Sequence, residues 1–277
     1  MTNNHSHDSL TPSVALITGA SSGIGEATAR RLAREPQMSL VLIARREQRL
    51  RELAQSLSAP TTYLAVDLTD EDAPGRVLEH LESQHGRLDL LINNAGAALR
   101  ARFADGGYEN VRRTMEINFD AQVRLTEALL PVLRKSAPSA IVNVSSTSGR
   151  VARAGSGAYS ASKFALAGWS DALAAEEYSH GVHVGLVLPG FISTEGFPHA
   201  ELTNKLSTRW AVSTPEKAAE AIYQAGIGRR AERYVPRGYG VLGAMRTLAP
   251  WLVRRVLRGN GAAVMTTKTG VEQTPKS

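Results

Sequence analysis

The chain has 277 residues, a formal net charge of +6, 43% hydrophobic residues and no cysteine. Without cysteine it can form no disulfide, thiol nucleophile or thiolate metal site, and no apolar run approaches the ~20 residues that span a bilayer as a helix. The positive charge invites a nucleic-acid reading, but the arginines are scattered and no binding module accompanies them, so no nucleic acid is expected as a partner.

Met1 to Pro12 is polar, lacks the apolar core of a signal peptide and reads as a flexible tail (1–12). His5 and His7 there are taken as incidental, so no metal site is expected, and a cytoplasmic location fits best. Val14-Ala15-Leu16-Ile17 has the composition of a buried parallel strand. It runs into Thr18-Gly19-Ala20-Ser21-Ser22-Gly23-Ile24-Gly25 and then into a helical composition from Glu26 to Arg34. A strand, a glycine-rich turn and a helix start make a cradle for phosphate, with close backbone approach and free N–H groups at the favourable end of the helix dipole. The same glycines could instead serve a tight turn alone.

Leu40-Val41-Leu42-Ile43 reads as the second strand, followed by Ala44, Arg45 and Arg46. Dinucleotide sites that select NAD usually carry an acid near this strand end, whereas arginine suits the 2′-phosphate of NADP. Ala44 stands where the acid is expected, so NADP is preferred over NAD, with Ser22 as a further hydroxyl. The competing account is a solvated helix face, because Arg49 and Arg51 follow. Further strands are expected to begin near Tyr63, Leu88, Ala140, Val182 and Tyr234. Alternating with helical patterns, they imply an α/β chain: a Rossmann-type doubly wound parallel sheet of about seven strands with helices on both faces. One domain is expected over residues 13–238.

Tyr159 and Lys163 lie four residues apart, one turn of a helix, on the same face. A phenol of pKa about 10 is a poor acid–base at neutral pH, and an adjacent ammonium would pull it toward the working range. Asn93-Asn94-Ala95-Gly96 follows the strand Leu88 to Ile92, Ser146 precedes Tyr159 by thirteen positions, and Pro189-Gly190 with Thr194 follows the strand Val182 to Leu188. Together with the Thr18 to Gly25 loop, these motifs resemble the short-chain dehydrogenase/reductase family over roughly Val14 to Pro236.

The resemblance implies a hydride transfer that interconverts a carbonyl and an alcohol with NADP(H). Tyr159 would be the general acid–base, Ser146 would hydrogen-bond the substrate oxygen, Lys163 would lower the tyrosine's pKa and hold the ribose, and Asn118 would help hold a relay water. Ser145 is read as facing away from the site. The cofactor would be held by Gly19, Ser21, Ser22, Gly23, Ile24, Gly25, Arg45, Arg46, Asp67, Leu68, Asn94, Ala95, Gly96, Tyr159, Lys163, Pro189, Gly190, Ile192 and Thr194. Asp67 could alternatively cap the helix expected near Glu71.

Residues 191–213 read as a substrate lid whose Phe191, Phe197, Leu202, Leu206 and Trp210 favour a fairly apolar small-molecule carbonyl or alcohol. Arg150 and Arg153 could instead meet an acidic group on the substrate. Residues 239–258 form a basic amphipathic extension interrupted by Pro250, open to use as a cleft cover, a subunit contact or a weak peripheral membrane contact. Residues 259–277 are expected to be disordered. The family resemblance further implies a homodimer or homotetramer built on helices around Tyr108 to Leu133 and Ala158 to Ser179. The alternative function is a non-catalytic NADP(H)-binding sensor on the same fold, which would have no need of Ser146, Tyr159 and Lys163 together.

Overall fold

The computed structural model describes residues 13–193 and 212–258. The expected strands are all present, within about two residues of their expected starts: β1 (Ser13–Thr18), β2 (Met38–Ala44), β3 (Thr61–Ala65), β4 (Leu90–Asn93), β5 (Ser139–Val144), β6 (Val182–Pro189) and, after the short β7 (Phe191–Ile192) and β8 (Val212–Ser213), β9 (Glu232–Val235). Seven of them form one parallel sheet in the order β3-β2-β1-β4-β5-β6-β9.

Parallel neighbours need crossovers, and helices supply them. They are α1 (Gly23–Leu32), α2 (Glu47–Ser56), α3 (Ala73–Gln84), α4 (Phe103–Met115), α5 (Ala121–Lys135), α6 (Gly157–Glu177) and α7 (Pro215–Gly226). The period-2 alternation of the strands divides their side chains between two cores. Ala15, Ile17, Leu40 and Leu42 pack with Leu32 of α1, Leu50 of α2 and Ile222 of α7. Val14, Leu16, Val41 and Ile43 pack with Leu81 of α3, Leu125 and Leu129 of α5, and Leu173 of α6. A sheet covered on both faces accounts for strands that read as continuous apolar runs.

The winding reverses between β1 and β4, and in such sheets the ligand crevice opens at the carboxyl ends of the strands at that reversal. Between α4 and α5 the helix widens into a π turn at Glu116–Asp120, with Asn118 buried within it. The extension splits into α8 (Tyr239–Leu248) and α9 (Pro250–Arg258), parted at the proline. Asp67 does not cap a helix: α3 begins only at Ala73, and Asp67 Oδ1 instead accepts from the N–H (3.1 Å) and hydroxyl (2.8 Å) of Thr69 in the preceding turn. Thr194, Phe197, Leu202, Leu206, Trp210 and both expected tails lie outside the described residues.

One ion pair fastens α5 to α6. Arg134 donates through Nε and Nη2 to the two carboxylate oxygens of Glu177, at 2.8 and 2.6 Å, and the Glu177 side chain is only 2% exposed. These bonds hold the Glu177 carboxyl below its usual range. Arg134→Ala leaves that buried carboxylate with only the His180 ring, 3.6 Å away, and is expected to lower the midpoint of a denaturant titration. The effect is full above the unfolded carboxyl pKa of about 4.3 and fades as pH falls through the lower folded value.

Candidate active site

The glycine-rich loop and the β4 loop are locked together beneath the crevice. Thr18 Oγ1 accepts from the N–H groups of Asn94 (2.9 Å) and Ala95 (3.0 Å) and donates to the Ile92 carbonyl. Asn94 Nδ2 in turn donates to the Thr18 carbonyl at 2.9 Å. Gly19 and Gly23 adopt positive φ of 66° and 57°, the left-handed region that glycine enters without strain. At Gly25 a Cβ would run into the Gly19 carbonyl oxygen, so only glycine lets the first turn of α1 lie this close to the loop. The result is a helix N-terminus facing open space, suited to a phosphate.

The two arginines after β2 diverge. Arg46 Nη2 donates to Ser22 Oγ at 2.7 Å and to the Ser21 carbonyl at 3.2 Å, and Nε reaches Ser21 Oγ at 3.2 Å. Arg45 turns to Asp67 (3.5 Å) and is 75% exposed. Burial alone would raise the Asp67 carboxyl, but the Thr69 hydrogen bonds and the Arg45 charge prevail and hold it low. A guanidinium and two hydroxyls thus gather at the loop with no carboxylate from β2 among them.

One cleft of about 810 Å³ runs from this loop to the ends of β5 and β6. Every described residue that the sequence assigned to catalysis or cofactor binding lines it, except Gly25 and Asn118. Ser146 and Tyr159 both line it, and Ser146 acts to lower the Tyr159 phenol, while Ser146 Oγ donates to the Pro189 carbonyl at 3.3 Å and accepts from the Ser148 N–H at 3.1 Å. Ser145 also borders the cleft, but its hydroxyl is spent on the Lys163 carbonyl at 2.8 Å, tying β5 to α6. Asn118 uses its side chain to join the β4 loop to α6: Oδ1 accepts from Ala97 N–H (2.7 Å), while Nδ2 donates to the Ala97 carbonyl (2.9 Å) and Ser162 Oγ (3.1 Å).

The electrostatics differ from the sequence expectation. Burial raises the Tyr159 phenol, and the groups that act against it are Ser146, Arg100 and Arg153. Lys163, 4% exposed, directs its ammonium to the Val144 carbonyl at 2.9 Å, and burial brings its pKa down to about 8. A folded value below the unfolded ~10.4 means that the fold bears a buried charge below about pH 8, a cost that disappears as pH rises to ~10.4. Lys163→Met is therefore expected to raise Tm by a few degrees at pH 7, with the gain vanishing above about pH 10. Thermal unfolding measured across that range checks it.

The far end of the cleft is framed by elements distant in sequence. β7 pairs in parallel with β8, Phe191 beside Val212 and Ile192 beside Ser213, which pins the two ends of the segment expected as a lid. Tyr239, at the start of α8, packs its ring so closely on Gly190 that a Cβ there would lie 2.6 Å from it. Sequence reading missed Thr18, Ser162, Arg100 and Tyr239 as parts of this assembly; of these only Thr18, beside the first loop glycine, carried a local signal. Arg150, weighed as a substrate contact, is paired with Glu232 at 2.9 Å and does not line the cleft.

Residues 13–204 match the short chain dehydrogenase family. The chain is 34% identical over 181 residues to an uncharacterized oxidoreductase of Staphylococcus epidermidis, covering 65% of this chain and 78% of that one. It is 33% identical over 262 residues to dehydrogenase/reductase SDR family member 7B of Xenopus laevis (88% and 80%), and 35% identical over 185 residues to 3-ketodihydrosphingosine reductase of Bacteroides thetaiotaomicron (67% and 66%). The protein belongs to the short-chain dehydrogenase family of oxidoreductases, whose members bind nicotinamide cofactors.

Proposed function

We propose that this protein is an NADP(H)-dependent oxidoreductase that interconverts a ketone or aldehyde and an alcohol, with Tyr159 as general acid–base. The observation that carries the reading is one cleft lined by Ser146, Tyr159 and Lys163, with a serine–arginine cluster without an acid at its other end.

When bound, the dinucleotide supplies or accepts the hydride. Its phosphates would meet the loop amides from Gly19 to Ile24 and Arg46, its adenine Asp67 and Leu68, and its nicotinamide end Pro189, Gly190 and Ile192; Asn94, Ala95 and Gly96 would line the path between. In the reducing direction the Tyr159 hydroxyl gives its proton to the carbonyl oxygen as negative charge gathers there. Ser146 donates a hydrogen bond to the same oxygen, where a fixed donor in a dry site counts most. Lys163 stands behind the tyrosine as the positive charge through which the proton is replaced. Asn118, its side chain already committed, acts by holding the π turn and the β4 loop in place.

The test is oxidation of NADPH by purified protein across aldehydes, aliphatic and aromatic ketones and oxosteroids, with NADH in parallel. Turnover that favours NADPH is the expected result. Silence across the panel despite tight NADPH binding would transfer the cleft to the sensor reading.

Two surfaces support the partner proposals. Tyr108 on α4 and Phe164 on α6 are exposed, in keeping with a homodimer or homotetramer built on these helices. On the extension, exposed Trp251 and Leu248 stand with Arg254 and Arg255, in keeping with a weak peripheral membrane contact; no helix of the described residues is long and apolar enough to cross a membrane.

A further inference from the structure

We infer that the cavity between β8, α7 and β9 is a second ligand site, separate from the catalytic cleft, and that it takes a phosphate monoester.

β9 is the last strand of the sheet. Its Val235 packs with Ala221, Ile222 and Ala225 of α7, and the period of two puts Arg233 on the same face. With β8 and the turn at Pro236 and Arg237, these elements enclose a cavity of about 440 Å³, a size usual for small-molecule sites. No described residue lines both this cavity and the cleft.

Two of its residues carry polar atoms that the described fold leaves unanswered. Ser213 is only 3% exposed, and its hydroxyl has no hydrogen-bond partner. The buried Nε of Arg233 has none either. Native interiors leave few such groups unpaired, and a guanidinium partly withdrawn from water without a counter-charge is destabilising. Among the described residues no carboxylate pairs with Arg233, Lys217 or Arg237. Glu220, the acid of the described lining, is held by Arg31 at 2.8 Å and by Gln224 at 3.0 Å. Glu232, the neighbour of Arg233 on β9, pairs instead with Arg150 at 2.9 Å.

Charge selects the ligand class. Three cations and one acid leave the lining with two positive charges in excess. A phosphate monoester, at about −1.5 to −2 near pH 7, neutralises that excess, whereas a single carboxylate does not. Guanidinium also matches phosphate oxygens with paired N–H bonds. Val212, Ala221 and Pro236 offer an apolar wall to the organic part of the ester.

The cavity and the cleft share a wall, where the Gly190 N–H donates to the Val235 carbonyl at 2.8 Å. The test is therefore run with and without saturating NADP+. Phenyl phosphate and benzenesulfonate, a monoanion of similar shape, are titrated calorimetrically into the full chain. Phenyl phosphate is expected to bind tenfold or more tighter than the sulfonate in both conditions. Arg233→Gln, and separately Lys217→Gln combined with Arg237→Gln, should abolish the preference. Arg230→Gln, exposed and outside the lining, should retain it.

A second arm uses phosphatidylcholine vesicles carrying either phosphatidic acid, a lipid monoester, or phosphatidylglycerol, a diester. A preference for phosphatidic acid that Arg233→Gln removes assigns the monoester to a lipid headgroup. Phenyl phosphate binding without that preference assigns it to a soluble metabolite.

The inference is overturned if neither arm shows a monoester preference, or if the preference survives the substitutions. Phosphate binding that NADP+ abolishes also overturns it, because the anion would then sit in the cleft. Lys217 and Arg237 are exposed, so their double variant decides should Arg233→Gln fail to fold. The readout is binding outside the cleft, and no result of the carbonyl panel alters it.

Discussion

Tyr159→Phe is expected to lower kcat by about 10²–10⁴-fold while leaving NADPH affinity within a factor of about two. The substitution removes one oxygen from a half-buried ring on α6 and keeps its packing, so the fold should be undisturbed. What is lost is the proton donor at the carbonyl oxygen. Ser146→Ala should cost about 10²–10³-fold, the range for a single donor to a developing oxyanion, and the double variant should be little worse than Tyr159→Phe alone because the two act on one oxygen. Steady-state kinetics with the best carbonyl from the panel, together with NADPH titrations, make the measurement. A Tyr159→Phe enzyme that retains more than a tenth of wild-type kcat would remove Tyr159 from the mechanism.

The second large effect concerns cofactor choice. Ala44→Asp combined with Arg46→Ala is expected to shift the preference from NADPH toward NADH by about 10³-fold or more. Arg46 would supply charge-assisted hydrogen bonds to a 2′-phosphate, worth about 1.5–3 kcal/mol each, and the new carboxylate would repel that phosphate while offering an acceptor to a 2′-hydroxyl. Arg45→Ala should do much less, because that side chain is 75% exposed and turned toward Asp67. Ratios of kcat/KM for the two cofactors decide the point. Equal losses for NADPH and NADH in the Arg46 variant would show that the residue serves only the loop, through Ser21 and Ser22.

These expectations rest on features of different legibility. The order of strands and helices could be read directly from the chain because its causes are local. Runs such as Val14 to Ile17 match strands buried on both faces, glycines mark the β1–α1 turn, and Pro250 divides the extension where it stands. The family motifs were legible for a similar reason: each is a short contiguous stretch, and the parallel winding brings their strand ends to one edge of the sheet.

Side-chain direction was not legible. Adjacent arginines 45 and 46 are equivalent in composition, yet one reaches the glycine loop and the other Asp67. Arg150 and Arg153 looked alike as substrate contacts, but Glu232, 82 positions away on β9, claims the first. Arg100 carried no signal until the loop after β4 placed it on the cleft, and burial proved to govern Lys163 and Tyr159 more than their four-residue spacing.

By itself, then, the sequence determined the doubly wound sheet, the family and the residues around the cleft, because backbone period and turn chemistry act within a few residues. Only the tertiary structure decided which charges border the cleft, because Coulomb and desolvation energies depend on distances in space that the order of the chain does not contain.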